Sequence, residues 1–525
     1  MAAQTHDPQP TTMLVQPSQH AAANGDGMPL YDRKDDCMYP TDLLSPTLLS
    51  KNCQSTFVTP SVPLTPEWVK LPALDQVENR VIIPAVLIFQ MPLPALRQPL
   101  LRDLKTSLAN TIGELSFLAA DVVPDCEEQG SIQLEISDGA GVWFHSQELP
   151  EIDYHALERR RFPCSAFPFL SSVVPEPRLH RSQRTPVLTV LATFITGGLL
   201  LALNNHHSVT DGTGMKPFIK TFAKHLAALS EGRFVSSEDV FPEEALDRSN
   251  IFRGGGRKQL CDIPNYRVSE NYRFARENSL LEAIVARDEQ LQLLQKLQLS
   301  HWVVSGKSLL ALREAASPLH ETEGSTVLTN HAILCAALWR HISRARQLSS
   351  LGITTNSFIS TVNVRRRMDP PLPLEYAGNA LVHAKTSAAV SDVVSAEPGT
   401  LYMLARQITH AIEWWTSERI WELIGAIESS AMISKIEPDM DNFQGPDLEV
   451  SNTATIGDVL ELDWGCRLGK VKAIRFAYAP VKDGWVNVLP QKKGDDLELL
   501  IALEKDVIKR LGQDKEWLQF AQESL

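Results

Sequence analysis

The longest apolar stretch of the chain predicts two buried strands. Residues 186–203 are uncharged and rich in β-branched side chains, and a pair of glycines divides them in half. A single helix of this length could span a membrane, but the β-branched residues and the central glycines favour two strands joined by a turn. The sequence NNHHSVTDGTG follows at once, so His206, His207 and Asp211 come directly after the second predicted strand.

Two apolar stripes at helical spacing predict one helix before this stretch and one after it. The first consists of Leu104, Leu108, Ile112 and Leu115, and the second of Phe218, Phe222, Leu226 and Leu229. The second helix should end at Gly232, because glycine readily ends helices. Further helices are predicted near residues 306–316, 326–346 and 399–430.

Strand patterns occur in both halves of the chain. Residues 131–145 predict a β-hairpin that turns at Asp138 and Gly139, and further strands follow residue 350. Because strands and helices mix throughout, we expect an α/β fold, or an α+β fold with mixed sheets, in two lobes of similar size.

Changes in composition suggest four segments. Residues 1–62 are polar and lack periodicity, which is typical of a mobile extension. An amino-terminal lobe should cover residues 63–232 and a carboxy-terminal lobe residues 286–525. Between them, residues 233–285 contain prolines and three consecutive glycines, which indicate a crossover linker.

Charge and cysteine content exclude several classes of protein. The net charge of −13 comes without a basic cluster, so a nucleic-acid groove is not expected. The seven cysteines are scattered and form no CxxC pair, which argues against a disulfide framework and a zinc site and favours a reducing compartment. The amino terminus lacks the pattern of a secretory signal, and we therefore expect a cytoplasmic location.

The residues after the apolar stretch are candidates for acid–base chemistry. His207 and Asp211 are four residues apart, which brings them to one side if the chain turns helically there. A neutral imidazole can take a proton from an alcohol or an amine. Without a GxSxG serine elbow, direct attack of such an acceptor on an activated acyl group is simpler than an acyl-enzyme.

Two other interpretations of these residues are open from their spacing alone. They can be polar residues that simply end a strand. They can also bind a metal, but neighbouring strand residues point to opposite faces, which makes joint ligation by His206 and His207 awkward. We therefore expect no metal site.

The segment 186–226 resembles the signature region of the BAHD acyltransferases, the coenzyme A-dependent enzymes marked by HxxxD. It is especially similar to fungal members that acylate secondary metabolites. LPALDQV at 71–77, DRS at 247–249 and VNVRRRMDPPLPLEYAGNAL at 362–381 resemble further family segments in the family's order. The resemblance covers roughly residues 63–520.

The resemblance implies a role for each matching residue of the HxxxD motif. His207 is the general base that takes the acceptor's proton as the acceptor attacks the thioester carbonyl. Asp211 is structural, points away from the reaction centre and pairs with an arginine, for which Arg365 is the first candidate and Arg367 the second. Gly212 matches the glycine after the aspartate.

The second family motif, DFGWG, matches less well in DWGCRLGKV at 463–471. Asp463 and Gly465 align with family positions, whereas Cys466 and Arg467 replace a tryptophan and a glycine. We expect a structural turn here, away from the histidine, that supports the lobes and the coenzyme A channel.

Three more residues have a weaker assignment. Ser305 and Lys307 fall where relatives line the coenzyme A channel, so they are candidates for contacts with pantetheine or phosphate, with solvated surface as the alternative. His206 stands where many relatives also have a histidine, and we interpret it as a packed structural residue.

The resemblance also implies the architecture and the reaction. Two lobes, each similar to the chloramphenicol-acetyltransferase unit, should enclose a channel. The expected enzyme is a monomeric acyl-CoA-dependent O-acyltransferase with acetyl-CoA as co-substrate, no bound cofactor and a small secondary metabolite as acceptor. Membranes are not expected as partners. Two alternatives are a stand-alone condensation-type domain, whose HHxxxDG signature also fits this sequence, and an inactive two-lobed binding protein.

Overall fold

The computed structural model describes most of the chain after residue 52. The described ranges are 53–91, 93–126, 128–164, 184–233, 235, 241–269, 296–317, 328–441, 445–476 and 482–524. The predicted mobility of residues 1–52 and the end of the predicted crossover, 270–285, lie outside these ranges.

The first half of the chain contains ten strands and four α-helices in the described ranges. Its strands are β1 (Gln54–Val58), β2 (Glu67–Lys70), β3 (Ile82–Gln90), β4 (Asp121–Pro124), β5 (Ile132–Ile136), β6 (Val142–Asp153), β7 (Thr185–Pro186), β8 (Leu188–Thr196), β9 (Gly198–His206) and β10 (Tyr266–Val268). Its helices are α1 (Ala73–Gln76), α2 (Arg97–Glu114), α3 (Tyr154–Arg159) and α4 (Lys216–Ser230). The two predicted amphipathic helices are therefore present as α2 and α4.

The second half contains the remaining helices and strands. Its strands are β11 (Leu297–Val304), β12 (Thr355–Asn363), β13 (Leu381–Ala389), β14 (Ile436–Pro438), β15 (Leu448–Asn452), β16 (Ala473–Phe476), β17 (Trp485–Val488), β18 (Leu497–Glu504) and β19 (Gln522–Glu523). Its helices are α5 (Gly306–Ala315), α6 (Asn330–Ala345), α7 (Val390–Val393), α8 (Thr400–Glu413), α9 (Ser417–Glu428) and α10 (Lys505–Leu511).

Two large sheets contain most of the strands. A six-stranded sheet has the order β1-β6-β8-β9-β3-β16, and a seven-stranded sheet has the order β13-β12-β15-β17-β18-β11-β19. Both include parallel and antiparallel pairs. Strand β16 comes late in the chain but pairs with β3, so the carboxy-terminal half completes the first sheet. The prediction of an α/β fold with mixed sheets is confirmed.

The apolar stretch forms the antiparallel pair β8 and β9, as predicted, with Gly197 at φ +77° in the turn. Leu199, Leu201 and Leu203 point into one hydrophobic cluster, whereas Leu200 and Ala202 point into another. Successive strand residues face opposite sides of a sheet, so a strand with apolar clusters on both sides has no polar alternation. This double burial explains the uninterrupted run of apolar residues.

Folded structure begins before the expected boundary at residue 63. Strand β1 lies before it and pairs antiparallel with β6, where Phe57 faces Trp143. The backbone of Ser61 also donates a hydrogen bond to the carbonyl of Ala109 in α2. A short polar strand at a sheet edge has no apolar periodicity, which is why its sequence resembles that of an extension.

The predicted hairpin over residues 131–145 is wrong. Strand β5 pairs with β2 and β4 in a four-stranded sheet, whereas β6 pairs with β1 and β8 in the six-stranded sheet. Asp138 and Gly139 do lie in a turn, with Gly139 at φ +71°. That turn moves the chain from one sheet to another, because a turn sequence does not determine which strands will pair.

The described part of the predicted crossover is packed against the rest of the protein. Strand β10 pairs with β14, and the amides of Gly255 and Gly256 donate hydrogen bonds to the side chains of Glu428 and Ser429 at the end of α9. Residues 241–269 therefore form part of the folded structure.

A half-buried carboxylate, that of Asp514, attaches the carboxy-terminal segment to α6. Asp514 Oδ2 lies 2.8 Å from Nδ1 of the fully buried His341, and Asp514 Oδ1 accepts hydrogen bonds from the amides of Glu516 and Trp517. Burial opposes ionisation, but His341, the Trp517 amide and Arg344 together hold the pKa of Asp514 well below its usual range.

The lowered pKa of Asp514 makes this attachment sensitive to acid. A depressed carboxylate pKa stabilises the fold above its unfolded value of about 4, and the contribution disappears as the pH falls through the folded value. We expect Asp514→Asn to lower the free energy of unfolding by about 1–3 kcal/mol at pH 7, and by less as the pH falls below about 4.

Urea unfolding at several pH values measures this difference. Asp506→Asn is the control, because Asp506 is exposed at the start of α10. A loss for Asp514→Asn that does not change with pH would contradict the assigned role of the charge.

Candidate active site

Strand β9 delivers His207 to the end of the six-stranded sheet. The backbone amide of His207 donates to the carbonyl of Val81, and its own carbonyl accepts a hydrogen bond from Asn379 Nδ2, both at 2.8 Å. The side chain of His207 is 19% exposed, whereas its neighbour His206 is fully buried. The backbone of His207 is thus held on both sides, while its imidazole is partly exposed.

Asp211 is saturated with hydrogen bonds and fully buried. Its two oxygens accept from both terminal nitrogens of Arg365, at 2.9 and 3.0 Å, and from the amides of Gly214 and Ala380, at 2.7 and 2.9 Å. Arg365 is 1% exposed, and it also donates to the carbonyls of Tyr376 and Gly378. Among the described contacts of Asp211, none involves the imidazole of His207.

The pairing of Asp211 distinguishes between the two arginine candidates. Arg365, the first candidate, is the partner of Asp211. Arg367 instead approaches the carbonyl of Trp415 at 3.4 Å. The i, i+4 spacing alone predicts that His207 and Asp211 lie on one side of a turn. The carboxylate of Asp211 instead binds Arg365, which comes from the second half of the chain.

Of the two glycines after Asp211, Gly214 is the one that the packing requires. A Cβ atom on Gly214 would lie 2.3 Å from Thr210 Oγ1 and 2.5 Å from the carbonyl of Ala377. A Cβ atom on Gly212 would meet only Thr453 Cγ2, at 3.6 Å, which is an ordinary contact. The close approach therefore occurs two residues beyond the family-matched glycine.

A second buried ion pair holds the backbone around His207, and sequence reasoning assigned it no role. Asp75 Oδ1 accepts hydrogen bonds from the backbone and the side-chain nitrogen of Asn379, and Asp75 Oδ2 pairs with Arg248. Arg248 also donates to the carbonyl of Val209 at 2.8 Å. Asp75, Arg248 and Asn379 belong to the LPALDQV, DRS and YAGN segments. The family resemblance of these segments was the sequence signal that could have identified them.

His206 is a packed neutral residue. Within the described part of the chain, neither of its ring nitrogens has a hydrogen-bond partner. Burial, and to a lesser extent the charges of Arg80 and His207, lowers the pKa of His206 to about 3. This environment leaves His206 neutral at physiological pH.

Glu78 is a further site residue that the sequence did not indicate. Its Oε2 atom lies 3.8 Å from Nε2 of His207, and its side chain is 6% exposed. It follows α1 in an irregular segment with no recognisable motif, so no local signal identifies it.

The DFGWG-like segment forms a turn against the end of α4. Asp463 Oδ1 accepts from the amide of Gly465 at 2.9 Å, and the amide of Cys466 donates to Ser230 Oγ. Trp464 is fully buried and makes edge-to-face contacts with Phe222 and with Phe89 of β3. The motif therefore packs the helix that follows the HxxxD loop onto the sheet.

Ser305 and Lys307 lie at the start of α5. Ser305 is the N-cap residue, and its hydroxyl accepts a hydrogen bond from the amide of Ser308 at 3.0 Å. Lys307 is exposed. The hydroxyl of Ser305 is thus already used within the helix cap.

The described residues contain neither a metal-binding cluster nor a membrane-spanning helix. No group of three histidine, cysteine, aspartate or glutamate side chains there is arranged to hold a metal ion. No helix in the same ranges has both the length and the apolar character needed to cross a bilayer.

Comparison with known proteins identifies the family of this chain. A family model described as the Transferase family matches residues 51–518. Acyltransferase easC of Emericella nidulans is 27% identical over 481 residues, which cover 89% of this chain and 98% of that protein. Eremophilane O-acetyltransferase prx11 of Penicillium rubens is 28% identical over 358 residues, covering 64% and 71%.

A solved structure shares the fold. TRI101 of F. sporotrichioides, complexed with coenzyme A and T-2, superimposes with a TM-score of 0.70 at 17% identity, covering 87% of this chain and all of that one. The family match spans most of the sequence, so the chain belongs to the Transferase family of BAHD acyltransferases and is an enzyme that transfers acyl groups.

The buried pair of Asp211 and Arg365 leads to a stability prediction. Asp211→Asn keeps the side-chain volume but leaves an almost fully buried guanidinium without its counter-charge. We expect the free energy of unfolding to fall by about 3–5 kcal/mol, measured by urea denaturation. The control is Asp463→Asn in an exposed turn, with an expected loss of about 1 kcal/mol. Equal losses in the two variants would contradict the structural importance of the pair.

Two glycines of the DFGWG-like turn provide a matched test of its packing. Gly465 and Gly469 both have positive φ angles, of +84° and +65°. A Cβ atom on Gly465 would lie 2.2 Å from Ser230 Oγ and 2.9 Å from the Cα of Ala227, whereas one on Gly469 would meet nothing within 4 Å.

Only the substitution at position 465 should disturb α4. We expect Gly469→Ala to cost about 1 kcal/mol from the backbone conformation alone, and Gly465→Ala to cost about 2–4 kcal/mol because it adds a collision. The denaturation midpoints of the two variants measure both losses of stability. Similar midpoints would show that the turn does not press against the helix.

Proposed function

We propose that this enzyme is an acyl-CoA-dependent O-acyltransferase that transfers an acetyl group to a hydroxyl of a small secondary metabolite, with His207 as general base. The main observation is a partly exposed imidazole at the end of a fully buried strand, with its backbone hydrogen-bonded on both sides. A fixed backbone limits the positions that a base can take, and orientation contributes strongly to catalysis.

The reaction needs one proton carrier and no covalent protein intermediate. The acceptor oxygen attacks the carbonyl carbon of the thioester, and its proton passes to the imidazole of His207. The carbon–sulfur bond then breaks, the ester forms, and the departing thiolate takes the proton from the imidazolium as free coenzyme A. His207 returns to its starting state, which agrees with the absence of a GxSxG elbow in the sequence.

In this proposal the role of Asp211 is structural. Its carboxylate already has four hydrogen-bond donors, so it has no need of the imidazole and holds the loop by binding Arg365. Gly212 belongs to the same loop, and Asp463 and Gly465 support the helix behind it. Losing Asp211 or Arg365 would change activity by displacing His207.

The relatives support the choice of substrates. The fold neighbour TRI101 was solved with coenzyme A and T-2, and prx11 is an O-acetyltransferase. Acetyl-CoA is therefore the proposed co-substrate, and no bound cofactor is needed. Lys307 is a proposed contact for a phosphate of coenzyme A, because it is exposed beside the helix cap formed by Ser305.

Replacement of His207 tests the proposal. We expect His207→Ala to reduce acyl transfer by about 10²–10⁴-fold while the protein remains folded, since general-base catalysis contributes a factor of that size. Release of free thiol from acetyl-CoA in the presence of fungal metabolite alcohols measures the rate, and mass spectrometry identifies the ester.

The matched control is His155→Ala, because His155 is an exposed histidine on α3. It should leave the rate unchanged. Near-normal turnover by His207→Ala would show that another group takes the acceptor's proton.

A further inference from the structure

The imidazole of His207 faces a carboxylate that does not belong to the HxxxD motif. Glu78 Oε2 lies 3.8 Å from His207 Nε2. Within the described ranges, no other carboxylate oxygen lies within 4.0 Å of a nitrogen of His207. Asp211 cannot take this place, because Arg365 and two backbone amides occupy both of its oxygens.

Glu78 is held at this position by the backbone. The hydroxyl of Ser208 is 3.5 Å from the carbonyl of Glu78, and the amide of His207 donates to the carbonyl of Val81. The preceding helix α1 is anchored by Gln76, whose side chain bonds to the backbone of Ile132 in both directions. The segment containing Glu78 is therefore fixed relative to the loop containing His207.

Glu78 is nearly buried, yet the described residues include no lysine or arginine within 4.0 Å of its carboxylate. The groups that its charge influences are Tyr266 of β10 and His383 of β13. Burial, and then the charge of Glu78, raises the pKa of Tyr266. Burial lowers the pKa of His383, and Glu78 and Glu449 oppose that shift. In the described ranges, the basic side chain nearest to the carboxylate of Glu78 is thus the imidazole of His207.

Other charges nearby are already balanced. Glu449 lies 3.3 Å from Lys482, and burial opposes its ionisation while Lys482, His383 and His207 together lower its pKa. His206, next to the site, is neutral at physiological pH. The carboxylate of Glu78 therefore differs from that of Glu449 in having no cationic side chain of its own in the described structure.

We propose that Glu78 is a positioning residue that orients His207 and stabilises the imidazolium formed during acyl transfer. The inference rests on the proposed function, in which the acceptor's proton passes to His207 and then to the thiolate of coenzyme A. Glu78 takes no proton in this scheme, because 3.8 Å is too long for a direct hydrogen bond, and its effect is electrostatic. The negative charge stabilises the positive charge that develops on the ring while it holds the acceptor's proton.

The test separates catalytic rate from binding. Glu78→Gln keeps the shape and removes the charge, so kcat should fall by about 10–100-fold because the imidazolium loses its nearby anion. The KM for acetyl-CoA should not change. Glu78→Asp keeps the charge on a shorter side chain, and its kcat should lie between those of the wild type and Glu78→Gln. Glu67→Gln removes an exposed carboxylate from β2 and should match the wild type.

Each result decides the question. A normal kcat in Glu78→Gln would overturn the proposal, and so would a change confined to the KM of the acceptor, which would make Glu78 a binding contact. If circular dichroism shows that Glu78→Gln does not fold, the kcat of Glu78→Asp is the deciding measurement. A kcat of Glu78→Asp no higher than that of His207→Ala would overturn the role of the charge. His207→Ala distinguishes the two proposals: if it is inactive while Glu78→Gln is normal, only the role of Glu78 fails.

Discussion

The buried ion pair between Asp211 and Arg365 is the constraint on which the site depends. Two charges removed from water destabilise a fold unless their geometry is good and their remaining hydrogen-bonding capacity is used. Here the carboxylate accepts four hydrogen bonds, and the guanidinium also donates to the carbonyls of Tyr376 and Gly378. A small displacement of either chain segment would leave several of these groups unpaired. The loop after β9 is therefore restricted to a narrow set of conformations.

Because of this constraint, both halves of the chain contribute to the candidate active site. Arg365 and Asn379 come from the second half, and they reach the backbone and side chains of the loop that contains His207. Asp75 binds Asn379 from the other direction. The strand β16 adds a further connection, because it completes the sheet that carries β9. His207 is accordingly oriented only when the complete set of contacts has formed.

The environment of His207 separates two tasks that one carboxylate often performs. Asp211 holds the loop, and its charge is balanced by Arg365, so it stabilises a positive charge on the imidazole only weakly. Glu78 faces the ring without a cation of its own in the described structure. Because the two carboxylates come from different segments, the structural role and the proposed electrostatic role can be altered independently.

The sequence by itself determined the features that depend on local pattern. The apolar run of 186–203 favoured two buried strands, and the stripes of α2 and α4 predicted amphipathic helices, as the structure has them. The HxxxD motif and its family resemblance identified the loop and proposed Arg365 as a partner before any geometry was known. What these inferences share is a period or a motif within a few dozen residues.

Tertiary structure decided everything that depends on which segments meet. The turn at Asp138 indicated a hairpin, yet its two strands joined different sheets, and β1 was too short and polar to be recognised as a strand. Glu78 has no motif, and its importance arises only from a 3.8 Å approach to a residue 129 positions later. The reason is physical: strand pairing and the burial of charge are set by contacts between distant segments, and a local pattern of residues does not specify them.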